Sequence, residues 1–181
     1  MALSLKPLAV LLPWRSKSPH ADELYGAIVA QTRLPVFYQG FGVPDTLEGR
    51  FVVLSLHLFA VLHRLKDAGS EAAAMAQALS DRFTADMETV LRELGVGDLT
   101  IPKKVRRLTA SGAWLLQSFE MGLGAGDEAL EAAIAGALPG DETAARAASA
   151  RLTPYLKRLV RHLEGEPVQD LCAGRLSYPD I

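Results

Sequence analysis

One stretch constrains this chain more than any other. Leu47, Phe51, Leu54, Leu58, Val61 and Leu65 recur at alternating steps of four and three, the spacing that lines one face of an α-helix. Val53, Leu56, Phe59 and Leu62 add a second apolar flank to the same helix. A surface helix carries one apolar stripe, so a helix apolar on two sides must be enclosed by others. Asp45 is read as its N-cap, with Glu48 three residues on completing a capping box.

Helical periodicity continues on both sides. Ser18-Pro19 is a cap and first-turn pair, and Leu24 and Ile28 continue a helix that Pro35 must stop. Gly69 followed by Ser70 separates the central helix from one marked by Met75, Leu79, Phe83, Met87, Val90 and Leu94. After the short 95–98 connector, a helix from Pro102 doubles back, with Val105, Leu108, Leu115, Phe119 and Leu123 as its buried stripe. Gly122, Gly124 and Gly126 are expected to stop it; a short helix from Asp127 to Leu138 follows. Pro139-Gly140-Asp141 turns into a last long helix carrying Leu152, Tyr155, Leu156, Leu159, Val160 and Leu163, which Pro154 either bends or divides. Val36 to Tyr38 and Leu176 to Tyr178 are the only strand candidates, too isolated to build a stable sheet. The expected architecture is all-α, a single-domain bundle of about six or seven helices over residues 19–181, preceded by an N-terminal arm at 1–18.

The 181 residues suit one domain with a real core. With 22% charged residues and a formal charge of −2, the chain has no bulk attraction for nucleic acid. Cys172 is its only cysteine, which excludes an intramolecular disulfide and fits a reducing compartment. The apolar run from Leu3 to Trp14 is broken by Lys6, Pro7 and Pro13 and falls short of the ~20 residues a spanning helix needs. It is read as a cytoplasmic arm.

A search for chemistry finds little. His20, His57, His63 and His162 are never three or four residues apart, so no helical metal pair exists. His57, in the middle of the apolar helix, reads as a core histidine with a hydrogen-bond partner rather than as an acid–base group. Asp81, Asp86 and Glu88 do not converge, and the alternating glycines at 122–126 lack a phosphate-binding lysine. No cofactor, metal or catalytic residue is assigned.

Two features remain. Lys103, Lys104, Arg106 and Arg107 crowd the start of a helix, where the dipole makes cations mildly unfavourable by ~0.3–1 kcal/mol each. A solvated helix face, an anionic membrane and RNA phosphate are all compatible with them. The other is Leu34 to Phe51, where Phe37, Tyr38 and Phe41 lie in a segment punctuated by prolines and glycines. Each ring left in water forgoes ~1.5–3 kcal/mol, so the three either pack on the flanking helices or edge an apolar groove for another polypeptide.

The residues from Leu24 to Gln31, Arg33 to Tyr38, Gly42 to Thr46, Gly49 to Phe51 and Leu56-His57, then Asp86-Met87, Leu91 to Leu99 and the basic run, together resemble the ubiquinol-cytochrome c chaperone family. The likeness covers roughly residues 20–123 as an ordered series of short motifs, and it departs from the family pattern at Ser111 to Gln117. It implies a non-catalytic assembly factor for the cytochrome bc1 complex (complex III) that holds newly made cytochrome b or another subunit. A small partner protein, a ribosome contact and peripheral association with the cytoplasmic face of a bacterial inner membrane are further implications. On this reading Arg33, Phe37, Tyr38, Phe41 and Arg50 form the client edge, and Lys103, Lys104, Arg106 and Arg107 an anionic-surface site for lipid or RNA. The rivals are a helical-bundle enzyme or lipid-binding protein of isoprenoid or quinone metabolism that uses His57, and a ribosome-associated adapter.

Overall fold

A computed structural model describes residues 18–181, and the expected N-terminal arm otherwise lies outside the described residues. Among them are seven α-helices and no strand. The first, α1 (Pro19–Thr32), starts as its sequence requires: the Ser18 hydroxyl accepts the Ala21 N–H at 3.3 Å, and Pro19 opens the first turn.

The chain then coils through a π-helical turn, Val36–Gly40, where Phe41 N–H reaches the Val36 carbonyl at 2.8 Å. The first strand candidate thus forms no strand, as its isolation in the sequence implies. With no partner strand, Val36 to Tyr38 satisfies its backbone locally, as an isolated segment must. The second candidate, Leu176 to Tyr178, is also irregular and lays the Tyr178 ring against His57, with centroids 6.0 Å apart.

The central helix α2 (Leu47–Leu65) is buried without a break from Val52 to Val61 and packs against α1, α3 (Ser70–Glu93), α4 (Ile101–Ala125), α6 (Glu142–Gly165) and α7 (Val168–Cys172). Its cap differs from expectation. Thr46, not Asp45, accepts the Gly49 N–H at 3.2 Å, and the Asp45 carboxylate is taken by Arg50 at 2.6 Å. Both Asp45 and Thr46 can cap; the hydroxyl has the required three-residue offset once the helix starts at Leu47. The Pro44 carbonyl lies so close to this first turn that a Cβ on Gly49 would sit 2.0 Å from its oxygen.

Helix α3 buries Ala72, Met75, Leu79, Phe83, Met87 and Leu91, while Gly69 at φ +101° occupies its cap position and Ser70 is already inside the helix. Helix α4 runs straight through Gly122 and Gly124. Only Gly126, at φ +113°, ends it. Gly122 instead permits close packing: a Cβ there would lie 2.8 Å from the Leu130 Cα of α5 (Asp127–Ala137). Helix α6, capped by Asp141, stays continuous through Pro154, and α5 packs between it and α4.

Candidate binding groove

The aromatic segment is divided by its own coil. Phe37 is fully buried and meets His57 and Tyr155 edge-on, each with centroids 5.2 Å apart. Phe41 is half-buried on the Phe37 and Tyr155 rings, at 5.7 and 6.0 Å. Phe37 therefore does not belong to a docking edge: the π-helical turn directs it inward, where it plugs the centre of the bundle. Phe41 backs that plug.

His57 beneath it is a core residue with both ring nitrogens used. Nδ1 lies 2.8 Å from the Val53 carbonyl and so carries the proton, which leaves Nε2 to accept the Tyr155 hydroxyl at 2.8 Å. The Gln31 amide completes the chain by donating to the Tyr155 oxygen at 3.4 Å. Complete burial pushes the His57 pKa down to about 4, against a weaker opposing pull from the Val53 carbonyl, so the ring is neutral.

Tyr38 points the other way. Its hydroxyl donates to the Thr32 carbonyl at 2.7 Å, closing the end of α1, and the Arg50 guanidinium lies over its ring at 5.0 Å. Tyr38, Arg33 and Arg50 then line an open groove of about 820 Å³ between α1, α2, α3, α4 and the end of α5.

The walls of this groove are mainly aliphatic and aromatic. Phe51 and Leu54 come from α2, Met87 and Val90 from α3, and Leu108 and Leu115 from α4. Gly136, Ala137, Ala110 and Ser111 are too small to close the space. Around it three large apolar side chains stand in water, Leu47 at 54%, Leu94 at 58% and Trp114 at 59% exposure. Single exposed leucines are ordinary; three large apolar residues beside one groove make a patch of the kind that takes a ligand or partner.

Charge gathers on the rim. Arg107 joins Arg33 and Arg50 there, together with Glu48 and Asp86. Asp86 accepts the Tyr25 hydroxyl at 3.0 Å and faces Arg82 at 3.6 Å, linking α3 to α1. Burial, then the Asp86 charge, raises the Tyr25 pKa far above the phenol range, so it stays a donor. Among the described residues neither Arg33 nor Arg107 has an ion-pair partner. Lys103, Lys104 and Arg106 are exposed on α4 but do not line the groove.

Two features that are separate in the sequence thus meet at one site through Arg33, Tyr38, Arg50 and Arg107. Trp114 is a site residue that sequence reasoning misses, although its signal is present: it stands one position out of register with the buried stripe of Leu108, Leu115 and Phe119. Leu47 and Leu94 read in the sequence only as stripe residues, because periodicity does not reveal where a stripe runs past its neighbours. Among the described residues no group of three or more His, Cys, Asp or Glu is placed to hold a metal ion, and no helix is long and apolar enough to cross a membrane.

Comparison with known proteins agrees with the sequence motifs and extends them. A family model described as ubiquinol-cytochrome C chaperone matches residues 39–178, which carries the likeness through α5, α6, α7 and the tail beyond them. Ubiquinol-cytochrome-c reductase complex assembly factor 1 of Xenopus laevis is 25% identical over 121 residues, 67% of this chain and 60% of that protein. The crystal structure of the Cbp3 homolog from Brucella abortus superposes with a TM-score of 0.78 at 33% identity, covering 90% of each chain. By the extent of the family match and the agreement in fold, the chain belongs to the ubiquinol-cytochrome C chaperone family.

Proposed function

We propose that this protein is a non-catalytic assembly factor for complex III, and that its α1–α4 groove holds an apolar segment of newly made cytochrome b or of another complex III subunit. The single observation that carries the reading is the groove itself: a preformed apolar channel of about 820 Å³ edged by exposed Leu47, Leu94 and Trp114. Client side chains entering it leave water at roughly 25 cal/mol per Å² of apolar surface, while the rim arginines keep the edge hydrated between clients. Arg33, Tyr38, Arg50, Arg107 and Trp114 are the proposed contacts. Phe37 and Phe41 are not among the groove's lining residues and pack on Tyr155 instead.

The quinone or isoprenoid enzyme is the weaker reading. His57, the acid–base group it would use, is buried away from the groove with both nitrogens engaged. The proposed setting is the cytoplasm, peripheral to the inner membrane where the client inserts; a small partner protein and the ribosome are further partners that the family likeness suggests.

A clean gene deletion tests the proposal, read by the amount of assembled complex III and of b-type haem in membranes. Both should fall, and a photocrosslinker in place of Leu94, with Trp114 intact, should capture a complex III subunit. Normal complex III in the deletion strain would overturn the reading.

A further inference from the structure

The α3–α4 tip carries an arrangement that the groove does not use. Leu99 is 98% exposed. It does not stand out through fraying: the Gly97 carbonyl accepts both the Thr100 N–H at 2.8 Å and the Thr100 hydroxyl at 2.9 Å, and Ile101 beside it is buried in the bundle. A hydrogen-bonded turn therefore holds an aliphatic side chain out in water.

Immediately after it come the cations. At about 100° per residue, Lys103, Lys104, Arg106 and Arg107 span an arc of about 160° on α4, opposite Ile101, Val105 and Leu108. All four are exposed, and among the described residues none has an ion-pair partner. Nearby acids offset little of this: Arg92 pairs with Glu88 and Asp98, which leaves Glu93 as an exposed acid on the tip. A chain with a formal charge of −2 thus concentrates positive charge at the start of α4, four residues after a projecting leucine.

We propose that this tip is a docking surface for an anionic lipid bilayer, with Leu99 entering the headgroup–acyl boundary and Lys103, Lys104, Arg106 and Arg107 resting on lipid phosphates. RNA also attracts cations, but a phosphate backbone has no use for a presented aliphatic side chain, whereas an interface takes both. The proposal deepens the peripheral placement given above and is independent of what the groove binds. It has a geometric consequence: Arg107 belongs to both surfaces, so the groove mouth borders the membrane, on the side from which a membrane-bound client would leave.

The test is flotation of the full chain with vesicles of phosphatidylcholine alone or with about one-third phosphatidylglycerol, each cation near the surface contributing roughly a fivefold gain in partitioning. Binding should require the anionic lipid and weaken with salt. The double variant Lys103→Gln, Lys104→Gln should bind about 30-fold less tightly on that scale, and Leu99→Ser roughly tenfold less through its lost apolar contact. A polarity-sensitive dye on Leu99→Cys, made with Cys172→Ala, should shift to the blue on vesicles.

Thermal midpoints matching the parent confirm that the surface variants fold. Equal flotation of the double variant, a dye that does not shift, or salt-sensitive binding to homopolymeric RNA without flotation would each overturn the proposal. None of these measurements contains a client, so their failure is separable from normal complex III in the deletion strain.

Discussion

Replacing Gly49 by alanine should destabilise the protein, although the residue lies inside a helix where alanine is the better former. The added Cβ would sit 2.0 Å from the Pro44 carbonyl oxygen and 3.1 Å from its carbon, both backbone atoms that no rotamer change can move. The loop must withdraw by more than about 1 Å to restore ordinary contact. That motion pulls on Val43, 2% exposed, and on the Thr46 cap. Losing the cap costs ~1 kcal/mol, and partly exposing a buried valine about 2 kcal/mol. Against these, alanine recovers ~1 kcal/mol of helix propensity. The net is about 2 kcal/mol of destabilisation, a fall in Tm of roughly 4–8 °C for a chain of this size. Gly26→Ala is the control, since Gly26 is exposed within α1 with no neighbouring atom inside 4 Å of the position its Cβ would take, and it should stabilise by ~0.5–1 kcal/mol. Urea denaturation of the three proteins side by side measures both. If Gly49→Ala matched Gly26→Ala in stability, the claim that α2 starts under the Pro44 carbonyl would be wrong.

Other consequences concern the core, the crossing of α4 and α5, and the groove. His57 is kept neutral with its pKa near 4 in the folded chain against an ordinary 6.5. Between those values the unfolded chain takes up a proton that the folded one refuses, so stability is full above about pH 6.5 and falls by about 3 kcal/mol towards pH 4. Denaturation midpoints across that window should lose this part of their slope in His57→Asn. Gly122→Ala, which drives a methyl to 2.8 Å from the Leu130 Cα, should cost ~2 kcal/mol by prising α5 from α4, seen as a lower urea midpoint. Trp114→Ser should cost only about 1–2 kcal/mol, because the ring is 59% exposed and the rest of it packed, yet abolish photocrosslinking of a complex III subunit from a probe at Leu94 in a chain that still unfolds cooperatively. Retained crosslinking would remove Trp114 from the proposed contacts.

The groove and the basic tip adjoin at Arg107, which suggests one route for a client. On the two proposals above, a hydrophobic segment held in the groove would stay out of water until the tip brought the groove mouth to lipid. Transfer then exchanges one apolar surroundings for another, so holding and release need little difference in affinity.

Much of this protein follows from local chemistry. The unbroken burial of α2 from Val52 to Val61 is what two apolar flanks on one helix demand, and the helix order, the Ser18 cap and the stop before Pro35 each depend on residues within a turn or two of one another. Even His57 as a satisfied core residue is readable from its position, although its partner Tyr155 is not. What the chain alone does not disclose is wherever two neighbours compete or two distant segments meet. Thr46 displaces Asp45 as cap because the helix starts at Leu47, which gives its hydroxyl the three-residue offset to the Gly49 N–H and leaves the Asp45 carboxylate to Arg50. Gly122 serves a helix crossing rather than a helix end because α5 folds back onto it. Phe37 and Tyr38 carry equivalent aromatic signals, and only the π-helical turn sends one into the core and the other to the groove wall. Arg33 joins Arg107 on one rim by the packing of α1, α3 and α4, and periodicity specifies which face of a helix is buried, not against what.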